Sequence, residues 1–181
     1  MLLDASKASL LVIDIQERLL PAMAEADRVL AKSSILMTAA RELGLPITVS
    51  EQYPKGLGRT VPQLAANDAL VFEKLSFSCW RDDVMKHHFI KLHEGGRPLV
   101  VVAGIEAHVC VLQTCVDLAN AGFGVFAVTD AMSSRAPASA DLAFARLRHA
   151  GVEALNTEMA LIELLEKAGT PQFKALSALI R

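Results

Sequence analysis

Three reactive side chains fall where this chain leaves an apolar, strand-like run. Asp14 closes Ala8-Ser9-Leu10-Leu11-Val12-Ile13, Lys74 closes Ala69-Leu70-Val71-Phe72-Glu73, and Cys110 lies just past Pro98-Leu99-Val100-Val101-Val102-Ala103. The last run breaks at Gly104 and restarts as a helix through Ile105-Glu106-Ala107-His108-Val109, which puts the thiol in that helix's first turn. Unpaired backbone N–H groups and the positive end of the macrodipole gather there, and both are expected to lower a cysteine pKa. With a carboxylate as base and an ammonium as charge partner, such a sulfur can attack a carbonyl carbon. The sharp turn Gly104-Ile105-Glu106-Ala107 can aim backbone N–H groups at the developing oxyanion. Taken singly, Asp14 is as readily a helix cap and Lys74 a solvated strand end. The three together favour chemistry, and this chemistry needs no cofactor.

The elements that would bring them together alternate. After the strand ending at Asp14, Val29 to Leu43 reads as a helix closed by Gly44, and Pro46-Ile47-Thr48-Val49-Ser50 as a second strand. A long loop from Glu51 to Thr60 carries Pro54, Gly56 and Gly58. The third strand ends at Lys74, and Arg81 to Glu94 is a helix stopped by Gly95-Gly96. Beyond the strand leading to Cys110, the next helix ends at Gly122. A strand over Gly124 to Val128, a helix over Ala138 to Ala150 and a short strand Val152-Glu153-Ala154-Leu155 follow. Thr157 is placed to cap a helix from Glu158 to Lys167, and Thr170-Pro171 to open a last one. Such alternation predicts a three-layer, Rossmann-like α/β sandwich with a mostly parallel sheet of about six strands. In such sheets ligands bind beyond the carboxyl ends of the strands, where all three reactive residues fall.

Composition narrows the function classes. The 181 residues fit one domain spanning 1–181, and the 52% apolar content suffices for a large core. Lys and Arg number 18 against 20 Asp and Glu, a net charge of -2 without a basic stripe. Neither nucleic acid nor an anionic membrane surface is therefore an expected partner, and a small-molecule substrate is. The run Leu10-Leu11-Val12-Ile13 is far shorter than the about 20 residues of a membrane span, so the expected location is cytoplasmic. Cys79, Cys110 and Cys115 are odd in number and lack paired spacing, which argues for free thiols and against a structural zinc site.

Other candidates have plainer readings beside the chemical ones. Cys79 and Cys115 suit small buried hydrophobes. His108 points about 200° away from Cys110 on a helix and reads as a wall or core residue, not the thiol's base. His87, His88 and His93 read as a hydrated helix face. Gly56-x-Gly58 lacks the strand–turn–helix setting of a phosphate loop, so turn glycines are expected. Gln16, Tyr53, Phe77, Trp80 and Met132 are candidates to line a substrate pocket, with core packing the alternative for Phe77 and Trp80. Ser78 is a possible cap for the helix that follows it.

These residues also carry a family resemblance. Asp14-Ile15-Gln16, Lys74 followed by Phe77-Ser78, and Gly104-Ile105-Glu106-Ala107-His108-Val109-Cys110 together resemble the isochorismatase-like cysteine hydrolase superfamily. Glu51-Gln52-Tyr53-Pro54-Lys55-Gly56-Leu57-Gly58, Asp130-Ala131-Met132-Ser133-Ser134-Arg135 and Pro171-Gln172-Phe173-Lys174 resemble its isochorismatase domain-containing and YcaC-type branch. The resemblance implies an Asp14, Lys74, Cys110 triad, a non-proline cis peptide at Ile105–Glu106, an oxyanion held by the amides of Glu106 and Cys110, and a homo-oligomer. Two departures refine it. Nicotinamidases of the superfamily carry Asp-x-His after the second strand for a metal. Here Glu51-Gln52-Tyr53 stands there, with no histidine before Lys74, so no metal is expected. Isochorismate hydrolysis cleaves a vinyl ether without needing a thiol, whereas Cys110 is retained, which favours acyl chemistry on an amide-type C–N bond. The alternatives are vinyl-ether hydrolysis using Asp14, or a catalytically idle binding or scaffold member.

Overall fold

In the computed structural model, residues 1–65 and 67–180 are described. Six strands form one parallel sheet: β1 (Ala8–Ile13), β2 (Ile47–Gln52), β3 (Leu70–Lys74), β4 (Leu99–Ile105), β5 (Gly124–Ser133) and β6 (Glu153–Leu155), in the order β3-β2-β1-β4-β5-β6. The helices are α1 (Ala26–Leu43), α2 (Pro54–Leu57), α3 (Asp83–Glu94), α4 (Leu112–Asn120), α5 (Pro137–His149), α6 (Thr157–Leu165) and α7 (Pro171–Ser177).

Strand alternation divides the core into two layers. Leu10, Val12, Val49, Val101 and Phe126 pack with Leu36 and Met37 of α1 and with Leu161 and Leu164 of α6 on one face. Leu11, Ile13, Val100, Val102 and Val125 pack with Met85 and Phe89 of α3, Cys115 and Leu118 of α4 and Leu147 of α5 on the other. A parallel sheet covered on both faces explains why β4 is apolar throughout and β1 apolar except for Ser9, with no polar alternation. The α/β sandwich read from the sequence is the fold observed. Among the described residues no helix is long and apolar enough to cross a membrane.

Several boundaries differ for local reasons. α1 begins at Ala26, behind a left-handed Glu25 at φ 53°. β2 runs on through Glu51 and Gln52, because pairing with β3 carries its register to Gln52 opposite Lys74. β5 extends to Ser133 past an irregularity that shifts its register against β4 from Val102–Ala127 to Gly104–Met132. Asn156, and not Thr157, caps α6 by accepting from the Met159 N–H; the Thr157 hydroxyl and amide bond Asp130. α3 starts at Asp83 with Asp82 as its cap. Ser78, a candidate for that cap, donates to Asp117.

Gly104 is fixed by a close approach. Its φ is +133°, and a Cβ there would lie 2.2 Å from the carbonyl oxygen of Ile13 on β1. Ile13 and Gly104 are register partners, so β1 and β4 can carry Asp14 and Cys110 out side by side only if this position lacks a side chain. Gly104→Ala should therefore destabilise the fold by about 3 kcal/mol or more. Urea unfolding followed by circular dichroism measures it, and a midpoint unchanged from the parent would contradict the close approach.

Candidate active site

Asp14 follows β1 and Cys110 follows β4, the adjacent strands where the strand order changes direction, while Lys74 ends β3 two strands away across β2. The strand order thus explains how residues distant in sequence share one edge. Asp14 turns out of β1 in a left-handed conformation, φ 53°. Its Oδ2 accepts from Lys74 Nζ at 2.8 Å, with both side chains fully buried. Its Oδ1 accepts from the Ser50 hydroxyl at 2.7 Å. Lys74 Nζ also donates to Gln52 Oε1 at 2.7 Å and to the Phe77 carbonyl at 3.2 Å.

The intervening strand supplies the bracket. Ser50 and Gln52 are two residues apart on β2 and so share one face. Ser50 pairs in register with Ile13 of β1, and Gln52 with Lys74 of β3. One side chain of the bracket thus reaches the carboxylate and the other the ammonium. The sequence reading missed both, because it ended β2 at Ser50 and put Gln52 in a loop. Thr48, Ser50 and Gln52, polar at alternate positions of one buried strand, were the available signal.

Cys110 enters from the far side on a π turn, Ala107–Val111, which precedes α4. The Val111 N–H reaches back to the Glu106 carbonyl at 3.2 Å, and the Val109 N–H reaches the same oxygen at 3.0 Å. The Ile105–Glu106 peptide is cis. The Glu106 carboxylate accepts from the Arg135 amide at 3.2 Å and from Arg135 Nε at 3.1 Å, tying this junction to the segment after β5.

The electrostatics reverse the expectation of a low thiol pKa. Burial first, then the charge of Asp14, push Cys110 far above the ordinary range, while Lys74 pulls it back only in part. With Cys110 only 5% exposed, desolvation of a thiolate outweighs the helix end. Lys74 is raised: burial lowers it, but the negative charge of Asp14 and the hydrogen bond to its carboxylate outweigh that. The resting site therefore holds an ammonium and a protonated thiol, with the carboxylate between them. Cys79 is fully buried and belongs to this network. Burial raises it to about 11, against Lys74 and the Thr114 and Ser50 hydroxyls, which favour its anion.

The pocket candidates separate. Tyr53 is half exposed and lines an open cavity of about 550 Å³ with Pro54, Lys55, Lys74, Leu75 and Arg81. Phe77 is exposed above Lys74. Gln16 is fully buried and works as a clamp: its Nε2 donates to the Gln52 and Gly58 carbonyls, and its Oε1 accepts from the Gln52 N–H. Met132 is enclosed in the core, and Trp80 stacks edge-on against Phe123 at 5.7 Å. His108 Nδ1 bonds the Ser134 hydroxyl, and His88 bonds Thr48. Among the described residues no group of three His, Cys, Asp or Glu is arranged to hold a metal ion.

Comparison with known proteins identifies relatives of the whole chain. The family model for the isochorismatase domain matches residues 8–159. Isochorismatase domain-containing protein 2 of Danio rerio is 37% identical over 98% of this chain and 89% of its own length. The secreted isochorismatase effector Isc1 of Phytophthora sojae is 36% identical over 95% of this chain and 83% of its own. Among solved structures, the MAR1 ribonuclease of Caenorhabditis elegans superposes with a TM-score of 0.91 at 34% identity, covering 99% of this chain and 92% of that one. YcaC from Pseudomonas aeruginosa, solved with hexane-2,5-diol and covalent acrylamide, gives 0.84 at 26% identity over 98% of this chain and 91% of that one.

Two stability tests follow from the site. Lys74→Met leaves the Asp14 charge buried without its partner and should cost about 3–5 kcal/mol. The double variant Asp14→Asn/Lys74→Met should recover part of that loss in urea titrations, and no recovery would mean the pair is not coupled. All three thiols are raised, Cys79 to about 11 and Cys115 by burial. A raised folded value means stability is complete below the unfolded thiol value of about 8.5 and is lost as pH climbs toward the folded values. The urea midpoint should fall over that window, and Cys115→Ala should flatten the decline by about 1.4 kcal/mol per pH unit.

Proposed function

From its place in the isochorismatase family, to which this chain belongs, we propose that it is a cysteine hydrolase that opens a small amide-type C–N bond through a thioester on Cys110. The observation that carries the reading is that Asp14 forms a fully buried ion pair with Lys74 at the end of β1, beside the adjacent strand β4 whose end leads into Cys110. The thiol proton passes to Asp14 as sulfur attacks the carbonyl carbon, and Lys74 remains an ammonium that balances the negative charge. The amides of Glu106 and Cys110 receive the oxyanion. Collapse breaks the C–N bond, and Asp14 returns the proton to the leaving amine. Water then attacks the thioester, giving its proton to Asp14, which passes it to the departing Cys110 sulfur as the acid leaves.

The 5% exposure of Cys110 supports a small substrate. The Pseudomonas YcaC, solved with covalent acrylamide, supports a reactive nucleophile in a protein of this fold. We also read the protein as a cytoplasmic homo-oligomer; the exposed apolar side chains of Tyr53, Leu75, Phe77 and Val84 support the oligomer.

Incubation with a panel of small amides, ureas and esters, followed by intact-mass spectrometry, should trap an acyl adduct on the parent chain and none on Cys110→Ala. Failure of every compound to label Cys110 would favour an idle binding member. The second reading, vinyl-ether hydrolysis with Asp14 as the acid, draws on the family model and on the name of the Phytophthora relative. Isochorismate turnover that survives Cys110→Ala would establish it over the thioester route.

A further inference from the structure

We infer that Gln52 is a positioning residue of this site: its carboxamide oxygen fixes the Lys74 ammonium and keeps it charged, so that Lys74 acts on the Cys110 sulfur as a stationary positive charge and not as a proton donor. The inference rests on the reading of Lys74 as the thiol's charge partner.

An ammonium has three N–H donors. Those of Lys74 go to Asp14 Oδ2 at 2.8 Å, Gln52 Oε1 at 2.7 Å and the Phe77 carbonyl at 3.2 Å. None is left for sulfur. Gln52 is itself immobilised, its Nε2 donating to the Leu75 carbonyl at 2.8 Å and its backbone N–H to Gln16 Oε1 at 2.8 Å. The contact to Lys74 is thus held from two directions and is not a chance rotamer of a flexible side chain. The Gln16 clamp acquires a purpose in the same way, because it fixes the backbone from which the carboxamide reaches.

A buried ammonium surrenders its proton unless acceptors offset its lost hydration. The groups facing Lys74 are Asp14 from the end of β1, Cys110 from the turn after β4, Cys79 from the turn after β3, and neutral Gln52 from β2. Asp14 supplies the opposite charge. Gln52 supplies an acceptor without adding negative charge, which would raise the thiol further. Glutamate at this position would hold the lysine but burden the sulfur, and an apolar residue would leave one ammonium proton unpaired in a dry site.

The test follows the Lys74 Nζ signal of ¹⁵N-labelled protein against pH, together with the rate at which acrylamide alkylates Cys110. In the parent chain Lys74 should remain an ammonium through pH about 10. In Gln52→Met its titration midpoint should fall by about one pH unit or more, and alkylation at pH 10 should drop about five-fold or more. Gln52→Glu should keep Lys74 charged although it breaks the bond to Leu75 as Gln52→Met does. A residue that merely tethers Leu75 would give both variants the same Lys74 titration, which would overturn the inference. Should Gln52→Met not fold, Gln52→Glu decides alone: Lys74 titrating at or below an ordinary lysine there would also overturn it. A shifted Lys74 with unchanged alkylation strikes instead at Lys74 as the thiol's partner, and the inference falls with that reading.

Discussion

An ion pair with no contact to water sets the terms for everything around it. Removing Asp14 and Lys74 from solvent carries a desolvation penalty that their mutual attraction offsets only when the remaining hydrogen-bonding capacity is met. Here Ser50, Gln52 and the Phe77 carbonyl meet it. That requirement explains the strand order locally. The two charges leave strands separated by β2, so they can meet only above its end, and that end must present polar side chains upward to both neighbours.

The same constraint reaches the backbone. Gln52 is held by Gln16, which also takes the Gly58 carbonyl, so the loop after β2 is drawn down over the end of β1. The isolated bridge between Gln16 and Thr60 belongs to this closure. Glu51, on the opposite face of β2, grips the other side of the loop by accepting from the Thr60 amide and hydroxyl. A loop that looks long for a connection is thereby anchored at both faces of one strand, and Tyr53 is left as its exposed projection into the cavity.

Much of this was legible in the chain and some was not, for physical reasons. The alternation of apolar strands with amphipathic helices prescribes the layered parallel sheet, because a strand buried on both faces leaves an unmistakable run such as Leu99 to Ile105. The strand-end positions of Asp14, Lys74 and Cys110 follow from the same pattern. What the pattern could not carry was register. Whether Gln52 belongs to β2 depends on where β3 pairs, and whether β5 ends at Val128 or Ser133 depends on a bulge against β4; both are long-range facts. The thiol's state was misjudged because proximity to a helix end is visible in sequence, whereas burial, which opposes it, is a property of the assembled core.

That misjudgment bears on how such a site can work. A thiolate standing permanently in the open would be reactive toward any electrophile or oxidant, and its ionisation would have to be sustained against desolvation. A protonated sulfur beside an already paired carboxylate avoids both. The proton has an acceptor the moment the sulfur–carbon bond begins to form, and the negative charge travels outward to the carbonyl oxygen instead of remaining on sulfur. Lys74 need not move in this scheme, which suits an ammonium whose every proton is already engaged. Under the proposed hydrolysis, nucleophilicity then arises in the presence of the right substrate, from a proton transfer between groups that leave the adjacent strands β1 and β4.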